Sequence, residues 1–173
     1  MSLKFNRRIR RYEIRFLWIL FFLLSLACSS RKKQSGAISL DDIKLSSLTG
    51  EAIDMDEFKH KTVFINFWAT WCKPCIQEMP TIESAQKLLK GEGVIFLLAS
   101  NEEVDLIDRF SKKHSYEFRY VKLDNMEELK IQALPTTFIF DSEGERKFSE
   151  TGFRMWDEPA NINLITKIIN HHE

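Results

Sequence analysis

The amino-acid sequence predicts an α/β fold whose sheet is at least partly parallel. Three short runs are apolar at nearly every position, as in strands that are buried on both faces of a sheet. These runs are 62–68 (TVFINFW), 94–99 (VIFLLA) and 136–140 (TTFIF). Segments with apolar residues at helical spacing lie between and after them. Strands that alternate with helices in this way are typical of α/β folds.

A turn and a more exposed strand are expected after the third run. Residues 141–144 (DSEG) combine residue types that favour tight turns. Residues 145–150 then carry mixed polarity, which suits a strand with one face in solvent. The whole chain of 173 residues leaves room for one ordinary domain and short appendages.

Three helices are predicted from the apolar spacing. The first follows Cys75, and Pro80 inside it is expected to kink it. Its expected buried face consists of Met79, Ile82, Ala85, Leu88 and Leu89. The second is expected to begin with Asn101 as its N-cap and to bury Val104, Ile107 and Phe110. The third buries Ile162, Ile165, Ile168 and Ile169.

Residues 1–27 have the pattern of a signal peptide for export. Six of the first 15 residues are Lys or Arg, and an apolar run from Phe16 to Ala27 follows, interrupted only by Ser25. This run is shorter than the roughly 20 apolar residues that cross a bilayer as a helix. A cleaved signal is therefore favoured over a permanent anchor.

Cys28 is the candidate lipidation site. The stretch 24–28 (LSLAC) resembles a bacterial lipoprotein signal, in which the cysteine is lipidated and becomes the new N-terminus. Ser25 departs from that pattern, which has a branched aliphatic residue at this position. The alternative is an uncleaved anchor that contains Cys28. Both alternatives place the folded part outside the cytoplasm and beside a membrane.

The rest of the chain divides into a polar, flexible tether over 28–38 and one domain over 39–173. Loss of residues 1–27 removes six basic side chains and one acidic side chain from a chain of zero formal charge, which leaves a net charge of −5. An acidic domain argues against nucleic acid or anionic lipid as the main binding partner.

The motif Cys72-Lys73-Pro74-Cys75 stands between the first predicted strand and the first predicted helix. A helix N-terminus has unpaired N–H groups and a partial positive charge, which together favour a thiolate. Because the thiolate is the attacking species in disulfide exchange, Cys72 is the expected nucleophile. Cys75 lies one turn into the helix, from where it can resolve a mixed disulfide.

Two other interpretations of the cysteine pair stay open at this stage. A structural zinc site would require two further Cys or His ligands. The other cysteine is Cys28, and none of the four histidines stands in a ligand-like motif: His60, His114, His171 and His172. A purely structural disulfide is the second alternative. The prediction is no metal and no cofactor beyond a redox-active Cys72–Cys75 disulfide.

Pro135 stands between Leu134 and the third apolar run. A trans proline there would remove a ladder hydrogen bond from the strand, whereas a cis Leu134–Pro135 bond at the strand entrance would avoid the conflict. The residues themselves leave both isomers open.

Residues 64–75 (FINFWATWCKPC) resemble the active-site strand and loop of the thioredoxin superfamily, and more narrowly its extracytoplasmic TlpA/ResA branch. Glu78, Pro80 and the segment 134–138 (LPTTF) agree with this branch, and 101–125 falls where it inserts extra structure between a strand and a helix. The resemblance covers about residues 40–170. It implies a thioredoxin-like three-layer α/β/α sandwich with a central mixed sheet and a cis Leu134–Pro135 bond.

The resemblance also implies roles for individual residues. Cys72 would be a surface-exposed nucleophile and Cys75 a buried resolving thiol. Pro135 would pack against the disulfide, keep metal ions out and present the backbone of Leu134 to a substrate peptide. The candidate substrate-contact residues are Trp71, Lys73, Pro74, Leu134 and Pro135.

Glu78 is a third candidate catalytic residue. It follows Cys75 by three residues on the same helical face, from where it could take the proton of Cys75 during resolution. Partial burial would raise the pKa of this carboxyl towards neutrality; a solvated surface glutamate is the alternative. Asn66 stands where cytoplasmic thioredoxins carry a buried Asp. An amide cannot accept a proton, so the task would pass to Glu78 or to water.

The sequence thus predicts a membrane-tethered, extracytoplasmic thiol–disulfide oxidoreductase. The branch it resembles commonly reduces disulfides of envelope proteins, for example in cytochrome c maturation, with a membrane electron donor of the CcdA/DsbD type. A monomer is expected. The alternatives are a thiol peroxidase, whose Pro-x-x-x-Thr-x-x-Cys pattern this chain lacks, and a copper chaperone or surface lipoprotein of the same fold. Copper chaperones of that fold have Cys-x-x-x-Cys, which is one residue longer.

Overall fold

A computed structural model describes residues 38–170. It has one six-stranded sheet in the order β1-β4-β3-β2-β5-β6. The strands are β1 (Leu45–Ser46), β2 (Thr62–Phe67), β3 (Val94–Ser100), β4 (Arg119–Leu123), β5 (Thr136–Phe140) and β6 (Arg146–Thr151). The helices are α1 (Lys73–Leu88), α2 (Val104–Lys113) and α3 (Pro159–Ile169), with short 3-10 helices at Leu40–Asp42 and Met55–Phe58. The predicted signal peptide, Cys28, the tether up to residue 37 and His171 and His172 lie outside the described residues.

The sheet is mixed, as predicted. β2 pairs with β3 and β3 with β4 in parallel, whereas the β2–β5, β5–β6 and β1–β4 pairs are antiparallel. All six residues of β2 are buried, which agrees with its uninterrupted apolar pattern and with its place between β3 and β5. β6 lies at the edge of the sheet, and its residues alternate between half-buried and exposed.

The two faces of the sheet are covered differently. Side chains from α1, α2 and α3 pack with Phe64 of β2 and Leu98 of β3 in one apolar cluster. The opposite face is covered by the two 3-10 helices and the segment 124–135, which contribute Leu40, Phe58 and Leu129. The predicted thioredoxin-like class with a central mixed sheet is confirmed. On this face the described residues form 3-10 helices, turns and loops rather than α-helices.

Most of the residues predicted to form the buried face of α1 are buried in the structure. Met79, Ile82 and Ala85 are fully buried, but Leu88 is 63% exposed. Leu88 follows Ile82 by six residues, which turns it about 120° away from Ile82 around the helix. The prediction for Leu88 was therefore wrong. Pro80 lies inside the helix, as predicted.

The predicted start of the second helix was also wrong. α2 begins at Val104 with Glu103 at its N-cap, and Asn101 lies in the connection that follows β3. Strands β1 and β4 were missed, since β1 is only two residues long and β4 is interrupted by charged side chains. The segment 101–125 does hold additional structure, but it forms α2 and β4 between two strands rather than between a strand and a helix.

Between residues 38 and 170, the helices are all too short or too polar to cross a membrane.

The packing of α1 gives a matched pair of stability predictions. Ile82→Ala should lower the free energy of unfolding by about 2–5 kcal/mol, since it removes a fully buried side chain and leaves a cavity. Leu88→Ala, on the same helix but largely exposed, should change it by about 0.5 kcal/mol or less. Urea denaturation of both variants checks this. Equal losses would mean that α1 packs on the sheet through a different face.

Candidate active site

The cysteine pair stands where the central strand leaves the sheet. The chain passes from Phe67 at the end of β2 through buried Trp68 and Ala69, and Cys72 is the N-cap of α1. The backbone N–H of Cys72 donates to the carbonyl of Ala69 at 3.0 Å. The Cys72 Sγ accepts a hydrogen bond from the backbone N–H of Cys75 at 3.3 Å. This N–H belongs to the first helical turn and has no carbonyl partner within the helix, so it is free to donate to the Cys72 sulfur, as predicted for a cysteine at a helix N-terminus.

Cys72 and Cys75 form a disulfide in this structure. Cys75 is fully buried, and Cys72 is only 4% exposed. The expectation of a surface-exposed Cys72 was therefore wrong for the disulfide state, in which its sulfur is bonded to the buried Cys75 and packs within the apolar cluster below α1. The exposed neighbours are Lys73, Pro74 and Trp71, the last with 72% of its surface accessible.

The Leu134–Pro135 peptide bond is cis, as predicted. Pro135 is buried, and half-buried Leu134 packs against the apolar cluster that contains both cysteines. The Pro135 carbonyl accepts a hydrogen bond from the N–H of Gly152 at 2.8 Å. This bond ties the start of β5 to the connection between β6 and α3.

Glu78 is fully buried, so the alternative of a solvated surface glutamate is wrong. Each of its carboxylate oxygens accepts one hydrogen bond. The Asn66 amide donates to Oε1 at 2.5 Å, and the backbone N–H of Arg154 donates to Oε2 at 3.0 Å. A buried carboxylate needs such donors, because its transfer from water is costly.

Burial raises the pKa of Glu78 to about 7, while the Arg154 N–H, the Asn66 amide and the indole of Trp156 act in the opposite direction. The indole N–H itself makes no hydrogen bond with good geometry, so its effect is that of a nearby dipole. Glu78 can therefore gain and lose a proton near neutrality. It stands one helical turn beyond Cys75, the proposed source of that proton.

Asn66 is a donor to Glu78 and to a second strand. It lies on β2 directly opposite Thr137 of β5, and its amide nitrogen also donates to the Thr137 hydroxyl at 3.0 Å. Its carbonyl oxygen is buried without a partner. Asn66 therefore cannot take a proton, but it fixes one oxygen of Glu78 and links it to the strand that follows Pro135.

The loop before Cys72 is anchored by Glu102, a residue that the sequence argument did not single out. Its carboxylate accepts hydrogen bonds from the Thr70 N–H at 2.7 Å, the Thr70 hydroxyl at 2.8 Å and the Ser100 hydroxyl at 3.2 Å. A polar residue at the carboxyl end of a parallel strand is the sequence signal that could have found Glu102.

Arg154 was also missed, because nothing in its local sequence links it to a residue 76 positions earlier.

Within residues 38–170, no three His, Cys, Asp or Glu side chains lie together as in a metal site. His114 stacks on the ring of Phe110, with ring centroids 4.1 Å apart.

The fold and the site together define a class: a thioredoxin-fold protein with a Cys-x-x-Cys disulfide at the start of its first long helix. The chain belongs to the redoxin family, whose model (Redoxin) matches residues 35–163.

Similar proteins agree with this assignment. The chain is 34% identical over 116 residues to the thiol-disulfide oxidoreductase ResA of Geobacillus kaustophilus, a match that covers 64% of this chain and 66% of that protein. It is 35% identical over 112 residues to ResA of Halalkalibacterium halodurans, covering 62% and 64%. The matched region thus spans less than two thirds of these relatives. The predicted ResA-type resemblance is confirmed.

Two solved structures show the same fold. A thioredoxin-family thiol:disulfide interchange protein of Chlorobium tepidum has a TM-score of 0.60 at 23% identity, covering 73% of this chain and 92% of that one. The exposed lipoprotein thioredoxin Etrx1 of Streptococcus pneumoniae has a TM-score of 0.58 at 24% identity, covering 72% and 96%.

The buried carboxyl of Glu78 predicts a pH-dependent stability. The pKa of about 7 in the folded state exceeds the value of 4.5 expected when unfolded, so the folded state binds more protons between these values. The free energy of unfolding should therefore fall by about 3 kcal/mol as the pH rises from 4.5 to 7 and then level off. Glu78→Gln should lack this decline. Urea denaturation at pH 4.5, 6 and 8 compares the two slopes, and parallel curves would contradict the buried, titrating carboxyl.

Proposed function

We propose that the protein is a thiol–disulfide oxidoreductase that works through Cys72 and Cys75. The observation that carries the proposal is the cysteine pair at the N-terminus of α1, with a buried carboxyl that titrates near neutrality one turn beyond it. A purely structural disulfide exchanges no protons, so it would not require a buried carboxyl beside it. The names of the curated relatives support the same activity.

In the proposed reduction, the Cys72 thiolate attacks one sulfur of a substrate disulfide. The substrate S–S bond breaks, one substrate sulfur leaves as a thiolate, and a mixed disulfide with Cys72 forms. Cys75 then attacks the Cys72 sulfur and releases the second substrate sulfur. Two electrons pass from the dithiol to the substrate, and the Cys72–Cys75 disulfide closes. Glu78 takes the proton that Cys75 must lose before it attacks.

The substrates we propose are disulfide-bonded proteins that bind as extended segments beside the cysteines. The exposed surface offered to them is apolar: Trp71 is 72% exposed, Phe153 49% and Met155 47%. Phe153 and Met155 are the sequence neighbours of Arg154, whose backbone N–H contacts Glu78. Exposed Lys73 and Pro74, half-buried Leu134 and the backbone beside buried Pro135 are the other proposed substrate contacts. Apolar side chains exposed beside a reactive group are typical of a protein-binding surface.

We further propose that the domain acts outside the cytoplasm, tethered to a membrane through a lipid on Cys28. The support is the signal-like pattern of residues 1–27, together with likeness to a protein described as an exposed lipoprotein. Its substrates would be disulfides of envelope proteins, including that of apocytochrome c, whose thiols it would free in cytochrome c maturation. Its electrons would come from a membrane donor of the CcdA/DsbD type.

The direction of electron flow follows from the redox potential of the Cys72–Cys75 pair. We expect a value near about −250 mV or lower, as in thioredoxin-like reductants. Equilibration with glutathione or dithiothreitol buffers, read by Trp68 and Trp71 fluorescence and by thiol alkylation, measures it. A value near about −120 mV would make the protein an oxidant and overturn the reductase proposal.

Two variants test the assigned roles of the cysteines. Cys75→Ser should accumulate mixed disulfides through Cys72 because the resolving thiol is gone, and non-reducing gels should show them. Cys72→Ser should form none. Trapping by Cys72→Ser instead would exchange the two roles. Hydrogen peroxide consumption by the reduced wild type at the rate of a thiol peroxidase would replace the proposed activity.

The lipid anchor has its own test. Cys28→Ala should abolish incorporation of labelled fatty acid and should move the processed protein from the membrane to the soluble fraction. A full-length variant that stays in the membrane would show that 16–27 is an uncleaved anchor.

A further inference from the structure

Arg154 makes two separate sets of contacts. Its backbone N–H contacts the buried carboxyl of Glu78, while its side chain is held by other residues. Its N–H donates to Glu78 Oε2 at 3.0 Å. Its guanidinium forms an ion pair with Glu150 and donates a hydrogen bond to Asn161, and it stacks on the rings of Phe148 and Trp156 at 5.3 and 5.5 Å. Four side chains, from β6, α3 and the connection between them, thus hold one arginine.

The connection that carries Arg154 is attached to α1 at further points. The Thr81 hydroxyl donates to the Glu78 carbonyl at 2.8 Å and accepts a hydrogen bond from the N–H of Trp156 at 3.0 Å. On the other side, Gly152 is bonded to the carbonyl of Pro135. The segment that carries the Arg154 N–H is thus bonded to α1 and to the start of β5, and the guanidinium contacts join it in addition to β6 and α3.

We propose that Arg154 is a positioning residue for the resolving step: its clamped side chain holds its own N–H on Glu78 and so sets how readily Glu78 takes the proton of Cys75. This inference rests on the proposed thiol–disulfide exchange and names a control of that same site. The balance of the step is unchanged. The proton moves from the Cys75 thiol to the Glu78 carboxylate, and the electron pair of Cys75 forms the bond to Cys72.

The surroundings of Glu78 make Arg154 the group that can exert this control. Asn66 faces the carboxylate from β2, with the Thr137 hydroxyl of β5 behind it, and Trp156 faces it from the same connection as Arg154. All three are neutral. Arg154 is the charged group that acts on Glu78, and both its N–H and its charge favour the ionised form. On α1 itself the neighbour is Cys75, which can titrate only in the reduced protein because its sulfur is disulfide-bonded in this structure.

The first measurement is the ¹³C NMR titration of the Glu78 carboxyl in oxidised full-length protein in detergent, assigned with Glu78→Gln. Arg154→Met keeps an apolar side chain of similar length but loses the ion pair with Glu150 and the hydrogen bond to Asn161. It should raise the midpoint of the Glu78 titration by about one pH unit. Arg154→Lys keeps the charge but cannot reach Glu150 and Asn161 together, and should raise it by less. Arg146→Met is the matched control, because Arg146 also stacks on a ring, that of Phe138, which belongs to the cluster on the opposite face of the sheet. It should leave the midpoint unchanged.

The second measurement follows resolution itself by stopped flow. With Cys28→Ser in every sample, the reduced protein releases one thionitrobenzoate from Ellman's reagent when Cys72 attacks and a second when Cys75 closes the disulfide. For Arg154→Met, the second phase at pH 7 should slow about fivefold, and its pH profile should move upward with the NMR midpoint. The high-pH rate should recover.

An unchanged NMR midpoint in Arg154→Met overturns the proposal. So does a shifted midpoint with an unchanged pH profile of the second phase, since Arg154 would then act on a carboxyl that resolution does not use. If Arg154→Met does not fold, Arg154→Lys decides by the same two criteria. Failure of the proposed activity is seen separately, as absence of trapped protein disulfides in Cys75→Ser, because the NMR midpoint does not depend on any substrate.

Discussion

The complete burial of β2 at the centre of the sheet determines where the chemistry of this protein takes place. β2 pairs with β3 on one side and with β5 on the other, so the chain leaves the sheet at the carboxyl end of β2 between these two strands. Cys72 follows five residues later as the N-cap of α1, and Pro135 directly precedes the β5 residue that pairs with Phe67. The segment that leads to the cysteine pair and the cis proline therefore start from paired positions, because β2 and β5 are antiparallel neighbours in this register.

The same strand supplies a hydrogen-bond donor to Glu78, the one fully buried glutamate among residues 38–170. Asn66 points its amide at Glu78, and the connection after β6 brings a backbone N–H to the other oxygen. These two donors make burial tolerable without cancelling its effect, so the pKa of Glu78 stays raised at about 7. A carboxylate with more donors would be a stronger acid, and one with none would hold its proton throughout the physiological range. The site therefore gives up stability near neutral pH for a group that can exchange protons there.

The loop before Cys72 is held by packing and hydrogen bonds, while one large apolar side chain of the loop is exposed. Trp68 packs on Phe110 of α2 and Tyr120 of β4, with ring centroids 4.6 and 5.6 Å apart, and Glu102 holds Thr70 by two hydrogen bonds. The loop before Cys72 is thus fixed to α2, β4 and the end of β3. Trp71 alone in this loop is largely exposed, so the loop offers a large apolar side chain to solvent without losing its own position.

Local patterns in the sequence determined the strands β2, β3 and β5, the start of α1 at the cysteine motif and the place of Glu78 one turn beyond Cys75. Burial on two faces, helical spacing and a helix-start motif are properties of neighbouring residues, so they can be recognised without the fold. The tertiary structure alone decided that Leu88 faces solvent, that α2 begins at Val104 rather than at Asn101, and that a two-residue strand pairs with β4. It also decided the donors of Glu78, which come from 12 residues before it and 76 residues after it. Such contacts depend on which strands become neighbours, and that is set by the packing of the whole domain rather than by any local pattern.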